Sequence, residues 1–164
     1  MKVVEAVRLL HDAGVEFVII GGWSAVLHGS SYITNDLDIC YSRSRENCRR
    51  IADSLRPYHP RLRALPIELP FVWDAATLAS STVLTLNTDL GAIDLLAEVS
   101  GIGVFEDAKE HSIRVPAFDC EVWTLDLPSL IKSKRAAGRG KDLQLLPELE
   151  GLLDATTDSS EPRP

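Results

Sequence analysis

The sequence predicts an α/β protein of one domain, in which short buried strands alternate with amphipathic helices. Its 164 residues fall within the usual length of a single domain. Hydrophobic residues make up 45% and charged residues 25%, an ordinary globular composition that excludes collagen-like, disordered and disulfide-scaffold proteins. Apolar residues recur at helical spacing over residues 2–13, and the β-branched run Val15–Ile20 follows. We therefore expect a first helix followed by a buried strand.

Turn-forming residues divide the rest of the chain into further elements. The elements expected before residue 60 are a sharp turn at Gly21–Gly22, a helix over 23–28, a polar loop over 30–35, a strand over Leu37–Tyr41, and a helix that Ser42 or Ser44 caps and Pro57 ends. The later elements are an irregular or edge-strand segment with four prolines over 57–70, a hairpin of 83–86 with 92–96, a strand over 121–124, a helix capped by Asp126 and a last helix after Gly140. We expect the domain to span 1–153, with a disordered tail over 154–164.

Apolar runs and the distribution of charge predict the compartment of the protein and the class of ligand it could bind. No apolar run approaches the roughly 18 residues that cross a bilayer, and no signal peptide is evident, so we expect a cytoplasmic protein without membrane contact. The net charge of −7 argues against coating nucleic acid by bulk charge. Basic residues nevertheless cluster in 43–63 and 132–141. Two such clusters could meet a phosphate-bearing ligand, although solvated helix faces would have the same composition.

Three acids within apolar surroundings predict the chemistry. Asp36 and Asp38 are separated by Leu37. Because side chains alternate along a strand, both carboxylates project from one face while Leu37 points to the core. Asp94 also has apolar neighbours in its predicted strand, and it would join the pair if the two strands lie side by side.

Carboxylates gathered in this way favour a divalent metal. Like charges on one face repel each other unless a cation lies between them. Carboxylate oxygens suit Mg²⁺, and three of them can hold two ions that clamp the attacking and leaving oxygens of a phosphoryl displacement. The third acid is then a candidate to orient or deprotonate the attacking hydroxyl.

The two glycines before the acids fit the same chemistry. A backbone without Cβ at Gly21 and Gly22 lets a phosphate approach closely, and amides at the start of the next helix face an anion. Ser24 could add a hydroxyl contact. The sequence therefore predicts a phosphate-binding turn beside a metal site.

These motifs resemble the polymerase-β-type nucleotidyltransferase superfamily. The segment GGWSAVLHG…TNDLDI and the later LIKSKRAAGRGKDLQLL are similar to its small bacterial branch, which includes nucleotidyltransferase-like toxins of abortive-infection and toxin–antitoxin systems. The resemblance covers roughly residues 15–150. It implies a mixed sheet flanked by helices, with helices at the C-terminal end. It also implies Mg²⁺-dependent transfer of a nucleoside monophosphate from a nucleoside triphosphate to a hydroxyl, with loss of pyrophosphate.

The resemblance assigns roles to individual residues. Asp36 and Asp38 match the metal pair and Asp94 matches the third acid, so these three are the expected catalytic and metal-binding residues. The residues expected to bind the nucleotide are Gly21, Gly22, Ser24, Thr34 and Lys134. Relatives often carry an arginine where this chain has Tyr32, and another basic residue from 43–63 could replace it.

Three functions remain open at the level of the sequence. The first is an active transferase whose acceptor is an RNA end, a protein or a small molecule, as a toxin-type enzyme would have. The second is a catalytically silent protein of the same fold that senses a nucleotide or binds a cognate protein partner. The third is modification of an aminoglycoside-type antibiotic, which an acidic protein would attract, although such transferases often carry a second helical domain that this chain lacks room for.

Overall fold

A mixed seven-stranded sheet with helices on both faces forms the frame of the protein. The computed structural model describes residues 2–66 and 70–158. The predicted α/β class and the mixed sheet flanked by helices are confirmed. Within the described ranges, no helix is both long and apolar enough to cross a membrane.

The bounds of the elements follow chain order. The helices are α1 (Val3–Asp12), α2 (Gly21–Leu27), α3 (Arg45–Leu55), α4 (Ala75–Ser80), α5 (Phe105–Glu110), α6 (Leu127–Ala137) and α7 (Gly140–Asp158). The strands are β1 (Phe17–Ile19), β2 (Asp36–Tyr41), β3 (Arg61–Leu62), β4 (Val83–Thr88), β5 (Gly91–Leu96), β6 (Glu98–Val99), β7 (Gly103–Val104), β8 (Ser112–Ala117) and β9 (Cys120–Leu125). A 3₁₀ turn over Arg56–Tyr58 follows α3, where Pro57 was expected to end that helix.

The order of strands places β2 at the centre of the sheet. The order is β3-β4-β5-β2-β1-β9-β8, while β6 and β7 form a separate two-stranded ribbon. The β2–β5 and β1–β9 pairs are parallel, and the other pairs of the large sheet are antiparallel. The predicted hairpin is β4–β5, and the proline-rich segment contributes the edge strand β3.

Alternation along β2 separates the core from the site. Leu37 and Ile39 are fully buried in a core that includes residues of α1 and α3. Burying each such side chain stabilises the fold by roughly 1.5–3 kcal/mol. Asp36 and Asp38 project from the opposite face of the strand, on the side where α2 packs against β2 and α6. The packed face thus fixes the direction of the two carboxylates.

Two helix caps agree with the sequence. The Ser44 side chain accepts a hydrogen bond from the backbone N–H of Asn47, so Ser44 rather than Ser42 begins α3. Asp126 accepts one from the N–H of Ser129 at 2.8 Å and begins α6. Such caps satisfy amide groups that have no partner within their helix.

Helix ends differ from the prediction at two points. α2 begins at Gly21 and not at residue 23, so the glycine turn is the first turn of the helix. α7 continues to Asp158, into the segment expected to be a disordered tail. The remainder of that predicted tail, 159–164, lies outside the described residues.

The sequence patterns assign no element to 100–118, where the structure places β7, α5 and β8. α5 has only six residues, which is too short for a helical apolar period to stand out. β8 is an edge strand that carries Pro116, a residue that normally argues against a strand. Pairing with β9 defines β8, and such pairing has no local signature in the sequence.

Candidate active site

The three predicted acids meet at the centre of the sheet. β2 and β5 are parallel neighbours whose register sets Asp38 opposite Asp94, with Asp36 two residues earlier on the same face. One carboxylate oxygen from each acid lies within 4.8 Å of the other two. The expectation that the strand of Asp94 lies beside the strand of the Asp pair is therefore confirmed. We call these three residues the acid cluster.

Burial and mutual repulsion change the acidity of the cluster. Burial, followed by the charges of Asp36 and Asp94, raises the pKa of Asp38 to about 7. Burial also raises the pKa of Asp94, although the guanidinium of Arg63 opposes that change. Both shifts show that negative charge in the cluster is costly unless positive charge compensates it.

Two glycines make room for the cluster and its support. Gly21 has a φ of +64°, and a Cβ there would lie 2.1 Å from Oδ2 of Asp38. A Cβ on Gly22 would lie 2.7 Å from Oγ1 of Thr34. The Thr34 hydroxyl donates to Oδ1 of Asp36 at 2.9 Å. Gly21 thus lets Asp38 approach the backbone of α2. Gly22 does the same for Thr34, which orients Asp36.

Arg63 places positive charge on the acid cluster from the edge of the sheet. Its Nη2 donates to Oδ1 of Asp94 at 2.7 Å and to the carbonyl of Leu86 at 3.3 Å. Its Nη1 lies 3.9 Å from Oδ2 of Asp36. Arg63 follows β3 directly, so the edge strand positions this guanidinium.

A buried ion network lies on the other side of the cluster. Asp142 is fully buried and accepts hydrogen bonds from Nζ of Lys134 at 2.8 Å and from Nε of Arg139 at 2.5 Å. Burial alone would raise the pKa of Asp142, but the hydrogen bonds from Arg139 and Lys134 lower it below the usual value. Two cations on one carboxylate leave net positive charge beside the acids. The hydrogen bond from Lys134 to Asp142 also joins α6 to α7.

Two cavities adjoin the acid cluster, and a third shares Arg63 and Asn87 with one of them. The helix-side cavity, about 270 Å³, is lined by Gly21, Asp38, Asp94, Ser133, Lys134, Arg139 and neighbouring residues. The loop-side cavity, about 380 Å³, is lined by Tyr32, Ile33, Thr34, Asn35, Asp36, Arg63, Asn87, Ala92 and Lys141. The edge-strand cavity, about 610 Å³, is lined by His59, Pro60, Arg61, Leu62, Arg63, Leu65, Pro66, Phe71 and Asn87. The acids therefore separate a space under α6 from a space beside β3.

Two of the predicted nucleotide contacts, Gly22 and Ser24, line none of these cavities. Ser24 is fully buried, and its hydroxyl is hydrogen bonded to that of Thr124 at 2.7 Å. Thr124 in turn donates to the carbonyl of Ile19, so the pair ties α2 to β9 and β1. Gly21 and Lys134 line the helix-side cavity, and Thr34 lines the loop-side cavity.

Arg63 is a site residue that the motifs did not single out, whereas Asp142 was matched within the basic C-terminal signature but given no role of its own. Arg63 belongs to the basic segment 43–63, from which a replacement for the missing arginine was expected. Its position could not be chosen within that segment, because the prolines around it hide any period. Asp142 belongs to that signature, but only the packing of α7 on α6 shows that its buried carboxylate lies between two cations.

Comparisons with known proteins find the same fold. No family model and no curated protein matches the chain. The chain is similar to the crystal structure of the lincosamide antibiotic adenylyltransferase LnuA with lincomycin bound, with a TM-score of 0.61, 13% identity, and coverage of 92% of this chain and 96% of that one. It is also similar to TM1012 from Thermotoga maritima, a predicted nucleotidyltransferase, with a TM-score of 0.57, 14% identity, and coverage of 92% and 93%. The chain has the nucleotidyltransferase fold.

The acid cluster of this nucleotidyltransferase fold fits a divalent cation. Its three ligand oxygens are close enough together to share one ion, and all are of the hard type that Mg²⁺ prefers. Burial, followed by the charges of Asp36 and Asp94, raises the pKa of Asp38, so a cation bound here would favour its ionised form. Asp36, Asp38 and Asp94 are therefore the residues that would hold the metal.

Replacing Asp38 by Asn should stabilise the metal-free protein at pH 8. The folded-state pKa of about 7 lies above the unfolded value of about 3.9, so ionisation of Asp38 costs stability as pH rises from 4 to 7, and the cost is constant above that. We expect Asp38→Asn to raise the free energy of unfolding by on the order of 1–3 kcal/mol at pH 8 and to change it little at pH 4. Chemical denaturation with a chelator present measures this. Asp154→Asn, at an exposed acid in α7, is the matched control. Equal stability of Asp38→Asn and wild type at pH 8 would contradict the prediction.

Replacing Gly21 by Ala should damage the acid cluster. The left-handed backbone alone costs about 1–2 kcal/mol for a residue with a Cβ, and the added carbon collides with the carboxylate of Asp38. We expect a lower melting temperature and weaker binding of Mn²⁺, measured by calorimetry. Gly151→Ala in α7, where the added Cβ meets nothing, should instead stabilise the protein by up to about 1 kcal/mol. Unaltered Mn²⁺ binding by Gly21→Ala would show that the close approach to Asp38 is unimportant.

Replacing Asp142 by Ala should unfold the α6–α7 contact. Removing one partner leaves Lys134 buried without its counter-charge, which costs about 3–5 kcal/mol. The exposed Arg135–Glu150 pair joins the same two helices, and Arg135→Ala should cost less than about 1 kcal/mol. Urea denaturation of both variants gives the comparison. Similar losses for the two variants would count against a special role for the buried network.

Proposed function

We propose that the protein is a metal-dependent nucleotidyltransferase that moves a nucleoside monophosphate from a nucleoside triphosphate to a hydroxyl acceptor. The observation that carries this proposal is the convergence of Asp36, Asp38 and Asp94 within 4.8 Å at the centre of a nucleotidyltransferase fold. Three partly buried like charges weaken a fold unless they serve a ligand. A cation and a phosphate together explain why they are gathered here.

The phosphates of the donor nucleotide are proposed to lie in the helix-side cavity. This cavity brings Asp38 and Asp94 together with Gly21 and with the cations Lys134 and Arg139. Because hydrogen bonds hold Lys134 and Arg139 on the buried carboxylate of Asp142 and the network carries net positive charge, it can receive phosphate oxygens. The predicted role of Lys134 is thus electrostatic, from within a network. The predicted contact of Ser24 with the nucleotide stays a prediction.

The three acids are proposed to have different roles in the reaction. Asp36 and Asp38 would hold Mg²⁺, in one or two ions, with Thr34 fixing the carboxylate of Asp36. When bound, the metal supplies positive charge to the phosphates and favours the ionised form of the attacking hydroxyl. Asp94 lies between the helix-side cavity and Arg63, so it can accept the hydroxyl proton from an acceptor on the β3 side. The acceptor oxygen bonds to the α-phosphorus, the bond to the pyrophosphate oxygen breaks, and pyrophosphate leaves.

The alternatives from the sequence differ in what supports them. A small-molecule acceptor no longer conflicts with chain length, because the similarity to LnuA spans 96% of that chain without requiring a further domain here. The acid cluster counts against a catalytically silent protein. The raised pKa values of Asp38 and Asp94 indicate that the cluster destabilises the fold, and a silent protein would gain nothing in return. The toxin-type role, a cognate protein partner and a cytoplasmic location stay predictions from the sequence.

Thermal unfolding with each of the four ribonucleoside triphosphates tests the proposal without knowledge of the acceptor. A triphosphate at about 100 times its Kd should stabilise the wild-type protein by about 2.7 kcal/mol when Mg²⁺ is present. Asp36→Asn should lose this stabilisation, because it removes one ligand of the metal. Asp154→Asn, an exposed change of the same kind, should keep it. No stabilisation by any triphosphate would overturn the proposal and favour the silent protein.

A further inference from the structure

The edge-strand cavity is larger than the two cavities at the acid cluster and is not used by the donor side of the proposed reaction. The edge-strand cavity, about 610 Å³, lies beside β3 and has the size of a site for one small ligand or one nucleotide unit. One wall of this cavity is apolar and consists of Leu62, Leu65 and Phe71. Another wall carries the positive charges of Arg61 and Arg63.

The charge of this cavity is unbalanced. Arg61 makes no side-chain hydrogen bond or ion pair with any described residue, and none of the described lining residues is an acid. Nδ1 of His59 lies 2.7 Å from Oδ2 of Asp89, so this histidine already has a partner outside the cavity lining. An exposed guanidinium without a counter-ion, at the wall of a cavity, is suited to bind an anion.

The cavity connects to the acid cluster through shared walls. Arg63 and Asn87 line both the edge-strand cavity and the loop-side cavity, and the latter is also lined by Asp36. Arg63 uses Nη2 to contact Asp94, and 35% of its side chain remains exposed. A molecule held by Arg61 could therefore extend past Arg63 and bring another of its groups to the acids.

The geometry points to the edge-strand cavity as the acceptor site, and to an acceptor that carries both a free hydroxyl and a phosphate group. This inference rests on the proposed function and names its substrate class. Arg61 binds the phosphate, the apolar wall contacts the rest of the molecule, and the hydroxyl reaches Asp94 alongside Arg63. A sugar that carries a phosphate and a free hydroxyl has both groups. Such a sugar occurs in small phosphate esters and at the end of a nucleic acid strand. An aminosugar antibiotic would instead set its cationic groups against two arginines.

Charge reversal at Arg61 tests the inference by binding alone. Ribose 5-phosphate and ribose are titrated by calorimetry into wild type and into Arg61→Glu and Arg61→Gln variants. We expect wild type to bind ribose 5-phosphate at least about tenfold more tightly than ribose, and Arg61→Glu to lose at least about tenfold, the value of one charge-assisted hydrogen bond. Arg61→Gln should lose less. Arg45→Glu removes another exposed arginine that has no partner among the described residues, and it should behave as wild type.

The same variants separate failure of this inference from failure of the proposed function. Arg61→Glu should keep the Mg²⁺-dependent stabilisation by the triphosphate, because Arg61 does not line the helix-side cavity. Equal binding of ribose and ribose 5-phosphate, or unchanged binding by Arg61→Glu, overturns the acceptor site and leaves the proposed function standing. Loss of triphosphate stabilisation in Arg61→Glu also overturns it, because the cavity would then hold the donor.

A short RNA identifies the source of the phosphate. If a trinucleotide with a free 3′ hydroxyl binds more tightly than ribose 5-phosphate, and Arg61→Glu weakens that binding, the site accepts a nucleic acid end. If the two probes bind equally and the variant weakens both, it accepts a small phosphate ester. Both results support the inference, whereas binding of neither probe contradicts it.

Discussion

Repulsion among three carboxylates is the constraint on which the rest of the site depends. The register of β2 on β5 brings Asp36, Asp38 and Asp94 within 4.8 Å of one another, and the buried face of the same strands holds them there. At these distances and in a partly buried place, each charge raises the cost of the next. The chain keeps this arrangement by surrounding it with groups that either leave room for the acids or compensate them.

The compensating cations differ on the two sides of the acid cluster. Under α6, Lys134 and Arg139 are fixed on the buried carboxylate of Asp142, so the positive charge is in place before any ligand arrives. Beside β3, Arg63 contacts the acids directly, while Arg61 is exposed and has no partner among the described residues. Positive charge that is already positioned suits the phosphates of the proposed donor. An exposed guanidinium suits an acceptor that must enter and leave.

The sequence predicts the parts of this site that are local and periodic. Alternation around Asp36 and Asp38 defines both the strand and the shared face, and the glycines before them indicate a close approach of backbone to another group. The structure adds that the group approached by Gly21 is the Asp38 carboxylate itself. Arg63 could not be chosen from the sequence, because its contact depends on an edge strand of two residues in a proline-rich segment. β8 was missed for the same reason, since pairing with β9 and not periodicity defines it.

At the proposed acceptor site, local charge bears on the choice of acceptor more directly than net charge does. A charge of −7 would attract a cationic antibiotic from a distance, but salt screens such fields beyond about 8 Å at physiological ionic strength. Within that distance, a ligand in the edge-strand cavity meets Arg61 and Arg63 before it meets any described acid of the cluster. A cationic acceptor would have to displace Arg63 from Asp94 and leave two guanidinium groups facing its own charge. An anionic acceptor gains from the same groups, so the cavity favours it even though the protein as a whole is acidic.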